Sequence, residues 1–249
     1  MPTLHIVTVG TSLLSNSGWQ NGTKLPSRKS LLEKLQSRPR ELSAELNALM
    51  PFIQKGECSS VHLIATDTPE GRLCRDTIAT FLQRQRVHLT RAEARGLLRI
   101  SPDQAASPQS FYQSIRQFRE LVLRVVQSAK RRGDRVLVNT TGGLKAQTAV
   151  AALVAAEFGL EAYYIHQSLC EPVYLPTAAL DESLLALLRE LDRHGRGCPA
   201  GRLREPDRLR LEREGLIHVS RDAEGQPRHV TLTDYAKHLL SRSSYSSQG

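Results

Sequence analysis

With 249 residues, 40% of them hydrophobic, the chain is long enough to bury a core and fits one mid-sized domain with an appendage, or two domains. No stretch approaches the roughly 20 apolar residues of a membrane helix, and an aromatic share of 5% argues against base recognition on stacked aromatic platforms. The formal charge of +9 suits an anionic partner as readily as an arginine-rich solvated surface. The N-terminus MPTLHIVTVG runs straight into a strand pattern with no basic and apolar leader, so cytoplasm is the expected compartment. Cys58, Cys74, Cys170 and Cys198 include no pair at metal-ligand or CxxC spacing and receive no role.

In chain order, Leu4 to Val9 is a short β-branched run ending at Gly10, which reads as a buried strand. The polar segment SNSGWQNGTKLP follows. Glu41 to Ile53 then shows helical spacing through Leu42, Leu46, Leu49 and Phe52, and Val61 to Ala65 is a second strand. Asp67 or Thr68 caps the next helix, with Pro69 in its first turn, and the helix runs to about Gln85. Val87 to Leu89 is a weaker strand. Phe111 to Ala129 is a long amphipathic helix, closed by basic residues and Gly133. Val136 to Val138 is a strand, and Leu144 to Phe158 is an Ala-rich helix, apolar nearly all round and expected to be buried. Ala162 to Ile165 and Pro172 to Leu175 complete the strands, the last at an edge. Such alternation predicts an α/β, Rossmann-like parallel sheet over residues 1–178.

The remainder, residues 179–240, has a different texture. A helix over Asp181 to His194, a second over Pro206 to Glu214, a basic hairpin and a last helix DYAKHLL read as a small winged-helix-like domain. The Ser-rich residues 241–249 read as a disordered tail.

Ligands of parallel sheets bind beyond the C-terminal strand ends, and two loops there stand out. One is Gly10-Thr11-Ser12. The other runs from Asn139 through Thr140, Thr141, Gly142, Gly143 and Lys145 to Gln147. Its glycines let the backbone approach a ligand closely, and helix N-terminal amides attract anions. Lys145 in a first helical turn opposes the macrodipole, a placement that an anionic ligand would reverse. The plainer account is a capping Thr141, a glycine turn and a solvated lysine. For Gly10-Thr11-Ser12 alone, a tight turn is the simpler account. The spacing matches neither dinucleotide nor P-loop fingerprints.

A first strand ending in GTSLL, with NTTGGLKAQ far downstream, resembles the CRISPR-associated Rossmann fold (CARF) family, and within it the standalone ring nucleases. The stretch VHLTRAEARGLLRI, followed by Phe111 and a long helix, is similar to the same branch. The resemblance implies a homodimer that holds cyclic tetra-adenylate, the second messenger of type III CRISPR defence, with ring and protein sharing two-fold symmetry. It also implies that a serine of the first loop and a lysine of the second, here Ser12 and Lys145, assist cleavage; Thr11 replaces Ser12 if the loop register differs by one.

On that reading the ring supplies its own nucleophile, a ribose 2′-hydroxyl rotated in line with the leaving 5′-oxygen. Lys145 and the Gly142 and Gly143 amides stabilise the transition-state charge. Products carry a 2′,3′-cyclic phosphate and a 5′-hydroxyl. Neither loop holds a histidine or carboxylate, so no general base, metal or cofactor is expected and turnover should be slow. Asp67, flanked by Thr66 and Thr68 at the end of the second strand, is a candidate for an adenine or ribose contact, though helix capping is the stronger account of it; Trp19 and Lys24 are candidates to cover the ligand. Arg189 to His194 and Arg213 to His218 both fit R-x4-H, a ribonuclease signature that an arginine-rich tail also produces by chance. A CARF and winged-helix transcription regulator that binds DNA without cutting the ring, favoured by Arg202, Arg204, Arg208, Arg210 and Arg213, is the main competing function, and an effector ribonuclease is the third.

Overall fold

The computed structural model describes residues 1–90, 97–98, 108–143, 145–166, 171–175, 182–195 and 197–245. The chain divides into two units, Met1–Val173 and Tyr174–Gly249.

In the first unit, Thr3–Val9 (β1) is buried along its whole length, as a central parallel strand covered on both faces must be. It pairs in parallel with Ser60–Thr66 (β2) on one side and Arg135–Asn139 (β5) on the other. His88–Leu89 (β3) and Leu97–Leu98 (β4) pair in parallel with β2. Glu161–Tyr164 (β6) pairs in parallel with β5, and Val173–Leu175 (β7) ends the sheet order β3-β2-β1-β5-β6-β7. The winding thus goes outward from β1 to β2 and β3, then resumes on the other side at β5. The C-terminal ends of β1 and β5 flank that reversal, where open α/β sheets leave a crevice for ligands.

The helices are Ser12–Asn16 (α1), Arg28–Ser37 (α2), Pro39–Leu42 (α3), Ala44–Gln54 (α4), Pro69–Arg84 (α5), Pro108–Arg131 (α6) and Lys145–Glu157 (α7). Three features depart from the sequence reading. The segment between β1 and the first expected helix contains two helices, α1 and α2; α2 buries Leu31, Leu32 and Leu35 and is capped by Ser27, whose hydroxyl accepts from the Ser30 N–H at 3.2 Å. The helix expected over Glu41 to Ile53 is broken: Ser43 is extended at φ −130° and ψ 120°, and its hydroxyl caps α4 by accepting from the Leu46 N–H. Finally, α7 is not buried all round. Ala151, Val154 and Ala155 face the core, but Ala149 is exposed and Leu153 is 68% exposed. The VHLTRAEARGLLRI stretch lies mostly outside the described residues.

The second unit contains Glu182–Arg193 (α8), Cys198–Pro199 (β8), a 3-10 turn at Ala200–Arg202, Glu205–Arg213 (α9), Ile217–Arg221 (β9), Pro227–Leu232 (β10) and Asp234–Tyr245 (α10). Its strands form an antiparallel sheet in the order β8-β10-β9. Leu184, Leu188 and Leu191, at i, i+4 and i+7 on α8, present one apolar stripe to a core with Cys198, Leu211, Ile217, Val230 and Ala236. The last helix runs to Tyr245, into the segment that sequence composition reads as tail; residues 246–249 lie outside the described set. Among the described residues no helix is long and apolar enough to cross a membrane.

Candidate functional site

The loops that leave β1 and β5 touch. A Cβ on Gly10 would lie 3.0 Å from the Gly143 nitrogen and 3.3 Å from its Cα, so only a residue without a side chain lets the two backbones meet. Gly143 has φ +103°, and a Cβ there would press on Thr8 at 2.9 Å. The Gly142 carbonyl turns inward to accept from the Thr8 hydroxyl. In a trans peptide the Gly143 N–H then points the opposite way. Among the described residues neither the Gly142 nor the Gly143 N–H has a hydrogen-bond partner.

Beneath the loops lies a buried carboxylate that the sequence reading did not find. Glu45, in the first turn of α4, is 0% exposed. Its Oε1 accepts from the Gly10 N–H at 2.8 Å. Its Oε2 accepts from the Ser43 hydroxyl at 2.7 Å and from the Ser12 hydroxyl at 3.0 Å. The Ser12 oxygen in turn accepts from the Ala44 N–H at 3.2 Å. Glu45 also fills the space against Gly142, where a Cβ would overlap its carboxyl group. One side chain therefore ties the first loop to α4 and underlies the second. Three hydroxyl or amide donors and the positive end of a helix offset its loss of water.

The remaining expected residues fall into distinct settings. Asn139 and Gln147 are both fully buried. The Asn139 Oδ1 accepts from the Thr141 N–H at 2.9 Å, but its Nδ2, and both amide atoms of Gln147, have no partner among the described residues. Buried amides are rarely left so. The Thr140 hydroxyl donates to the Tyr163 carbonyl at 3.0 Å, and the Thr141 oxygen accepts from the Ile165 N–H at 3.1 Å, so both threonines fasten the second loop to the end of β6. Lys145 is exposed where α7 begins; Leu144 lies outside the described residues. Thr11 is exposed and makes no capping bond. Thr68, rather than Asp67, caps α5, accepting from the Gly71 N–H at 3.0 Å, while Asp67 is held by Arg72 with Nε at 2.6 Å. The Trp19 indole donates to the Thr23 carbonyl, and Lys24 is exposed.

In the second unit, Arg189 and His194 line a surface recess of about 620 Å³ together with Glu190, Arg193 and Arg202, and Arg202 donates to His194 Nε2 at 3.0 Å. Arg213 stacks on Tyr174 at 4.5 Å. Two arginines of α9 are answered by acids: Arg208 faces Glu205, and Arg213 faces Glu214 just past the helix. Arg204, before the helix, pairs with Asp207 at 2.8 Å. Over its length α9 has three arginines and three carboxylates. Burial pushes the Cys58 and Cys74 thiols up to about 12 and raises that of Cys198, which leaves them unreactive; Cys170 lies outside the described residues.

Residues 40–178 match the family model described as CRISPR-associated protein (Cas_APE2256). The chain is also similar to the crystal structure of protein VC1899 from Vibrio cholerae, at 11% identity and a TM-score of 0.40 over 96% of this chain and 64% of that one. It is similar to Can2 from Sulfobacillus thermosulfidooxidans, solved in complex with cyclic tetra-adenylate, at 12% identity and a TM-score of 0.37 over 96% of this chain and 63% of that one. The chain thus spans less than two thirds of the length of either structure. The family match covers more than half of the sequence, including Glu45 and the whole β5 loop, and on it the chain belongs to the CARF-type CRISPR-associated proteins of the Cas_APE2256 family.

Proposed function

We propose that two copies of the chain hold a cyclic oligoadenylate, cyclic tetra-adenylate by the CARF resemblance, against their β1 and β5 loops and cut it, ending the signal of a type III CRISPR response. The observation that carries this reading is the meeting of Gly10 with Gly143 at the sheet's switch point, beside Gly142 and Gly143 amides that have no partner among the described residues. A phosphodiester supplies the acceptor that the Gly143 N–H lacks. Lys145 then stands where its charge meets the phosphate, and the unfavourable placement at a helix start becomes favourable.

Cleavage follows from positioning. The ribose 2′-oxygen attacks the adjacent phosphorus, the P–O5′ bond breaks, and the products carry a 2′,3′-cyclic phosphate and a 5′-hydroxyl. Lys145 and the Gly142 and Gly143 amides stabilise the charge that grows on the phosphoryl oxygens. Ser12, whose hydroxyl is held by Glu45, takes the positioning role in preference to the exposed Thr11. The open apolar face of α7, with Ala149 and Leu153, suits the self-complementary contact of a two-fold dimer.

Incubating the protein with labelled cyclic tetra-adenylate and a chelator, and following the ring by chromatography, tests the proposal. Linear products are expected. Lys145→Ala should slow cleavage by about 10²–10³-fold while ring binding stays measurable; unchanged turnover would reject the assignment.

A second reading draws on the second unit. Helix, strand, short turn, helix and hairpin, in the sheet order β8-β10-β9, are compatible with the winged-helix reading, and a ring-responsive DNA-binding regulator would leave the ring bound but intact. The balanced charge of α9 counts against a phosphate-reading helix, and we take this unit as a support for the dimer. Loss of bystander RNA in the same assay would instead indicate an effector ribonuclease.

A further inference from the structure

We infer that Glu45 acts through Ser12: it fixes the serine hydroxyl as a hydrogen-bond acceptor toward the ligand and takes up its proton during cleavage, so the group bound there must be a donor, a ribose 2′-hydroxyl. The inference rests on the proposed ring cleavage and adds to it the base that neither loop supplies.

The argument is one of hydrogen-bond inventory. A serine hydroxyl has one proton and two lone pairs. The Ser12 hydroxyl donates to Glu45 Oε2 at 3.0 Å, and one lone pair takes the Ala44 N–H at 3.2 Å. One lone pair remains, on a residue that is only half-buried. Ser43 and the Gly10 amide use up the other near positions of the carboxylate and fix its plane. Ser12 therefore meets an incoming group as an acceptor. A phosphate oxygen, itself an acceptor, gains nothing there, whereas a 2′-hydroxyl donates to it.

In the reaction the 2′-hydroxyl proton passes to Ser12 Oγ as the Ser12 proton passes to Glu45 Oε2. The 2′-oxygen forms its bond to phosphorus, the P–O5′ bond breaks, and the leaving oxygen takes a proton from the Lys145 ammonium. Glu45 ends protonated and Lys145 neutral, and exchange with water restores both. Glu45 touches Ser12 and not the ring, so it is a positioning residue.

A double-mutant cycle with labelled cyclic tetra-adenylate tests this on the full-length protein. Ser12→Ala and Glu45→Gln should each reduce single-turnover cleavage by about 10²-fold, with the ring Kd within a few-fold of wild type, and the double variant should be no slower than the slower single one. Losses that multiply, or an E45Q variant that cuts at the wild-type rate, overturn the inference. Because Glu45 also braces the loops, the unmodified protein gives a second measurement: a proton inventory in mixed heavy and light water should be bowed, since at least two protons move together, and a linear plot overturns the relay. A ring with 2′-O-methyl riboses should lose both cleavage and part of its affinity; affinity equal to that of the parent ring overturns the acceptor role of Ser12. Failure of the wild-type protein to cut the ring at all refutes the proposed function instead, and so remains distinguishable from failure of the relay.

Discussion

Gly142 shows how little room the site has. A methyl group there would lie within 2.7 Å of the Glu45 Cδ, and Glu45 has no free side to move to, since Gly10, Ser12 and Ser43 hold it from the others. Gly142→Ala should therefore destabilise the fold by about 1–3 kcal/mol, as overpacking of a rigid site does, and should slow ring cleavage more than Ala substitution at exposed Thr11. Thermal melting and single-turnover assays on the two variants check this; a Gly142→Ala protein with wild-type melting and activity would mean that Glu45 can move aside. The glycines stood out in the sequence as a turn open to a ligand, but the contacts that require them, Gly10 against Gly143 and Gly142 against Glu45, join distant parts of the chain and are not written in the loop itself. Glu45 did not stand out. In AELNALMPFI it reads as an ordinary first-turn acid of an amphipathic helix, and only the fold brings it to a loop 33 residues earlier in the chain.

At the scale of elements, the break at Ser43 matters more than its length suggests. Leu42, Leu46 and Leu49 keep helical spacing across it, so periodicity alone reads one helix. Ending α3 and starting α4 at Ser43 frees the Ala44 N–H for Ser12 and puts Glu45 at a helix start. A continuous helix would have used that amide internally. The Ala-rich helix carries a related lesson. Its composition says that apolar surface will be covered, not by what, and α7 leaves Leu153 open on a single copy of the chain. If a second copy covers it, Leu153→Arg counts twice in a two-fold interface. Removing about 1.5–3 kcal/mol of burial from each copy predicts dimer affinity weaker by at least about 10²-fold. Sedimentation across a concentration series reads this out, with ring affinity falling in parallel. A variant that sediments like wild type would place the dimer contact elsewhere.

For the whole molecule, the alternation of β-branched runs with amphipathic segments carries the order of β1, β2, β5, β6 and β7 and of the helices from α5 to α7, but not α1, α2 or the break before α4, and the candidate crevice follows from that topology. What alternation does not encode is the set of polar groups that the sheet buries. His5 on β1 packs against Phe52 and bonds Tyr163 Oη at 2.9 Å, and His62 on β2 bonds Thr90 Oγ1 at 2.8 Å while its Nε2 has no partner among the described residues. Burial, aided at His5 by the nearby Arg135 charge and opposed there by the Glu57 carbonyl, lowers both imidazoles from 6.5 to about 4. Both are therefore neutral in the folded protein at pH 5.5, whereas in the unfolded chain they are largely protonated. The unfolded state binds more protons between pH 6.5 and 4, so stability is fully present above 6.5 and declines as pH falls through that window. Each histidine accounts for up to about 3 kcal/mol across it, a large share of the 5–15 kcal/mol or so that holds a typical domain together. Melting temperature should thus drop steeply from pH 7 to pH 4.5. In His62→Leu, which keeps an apolar side chain in the same space but cannot take a proton, the drop should be roughly halved. Equal slopes for wild type and variant would mean that His62 is already charged in the fold, and that a partner for it lies within the sheet after all.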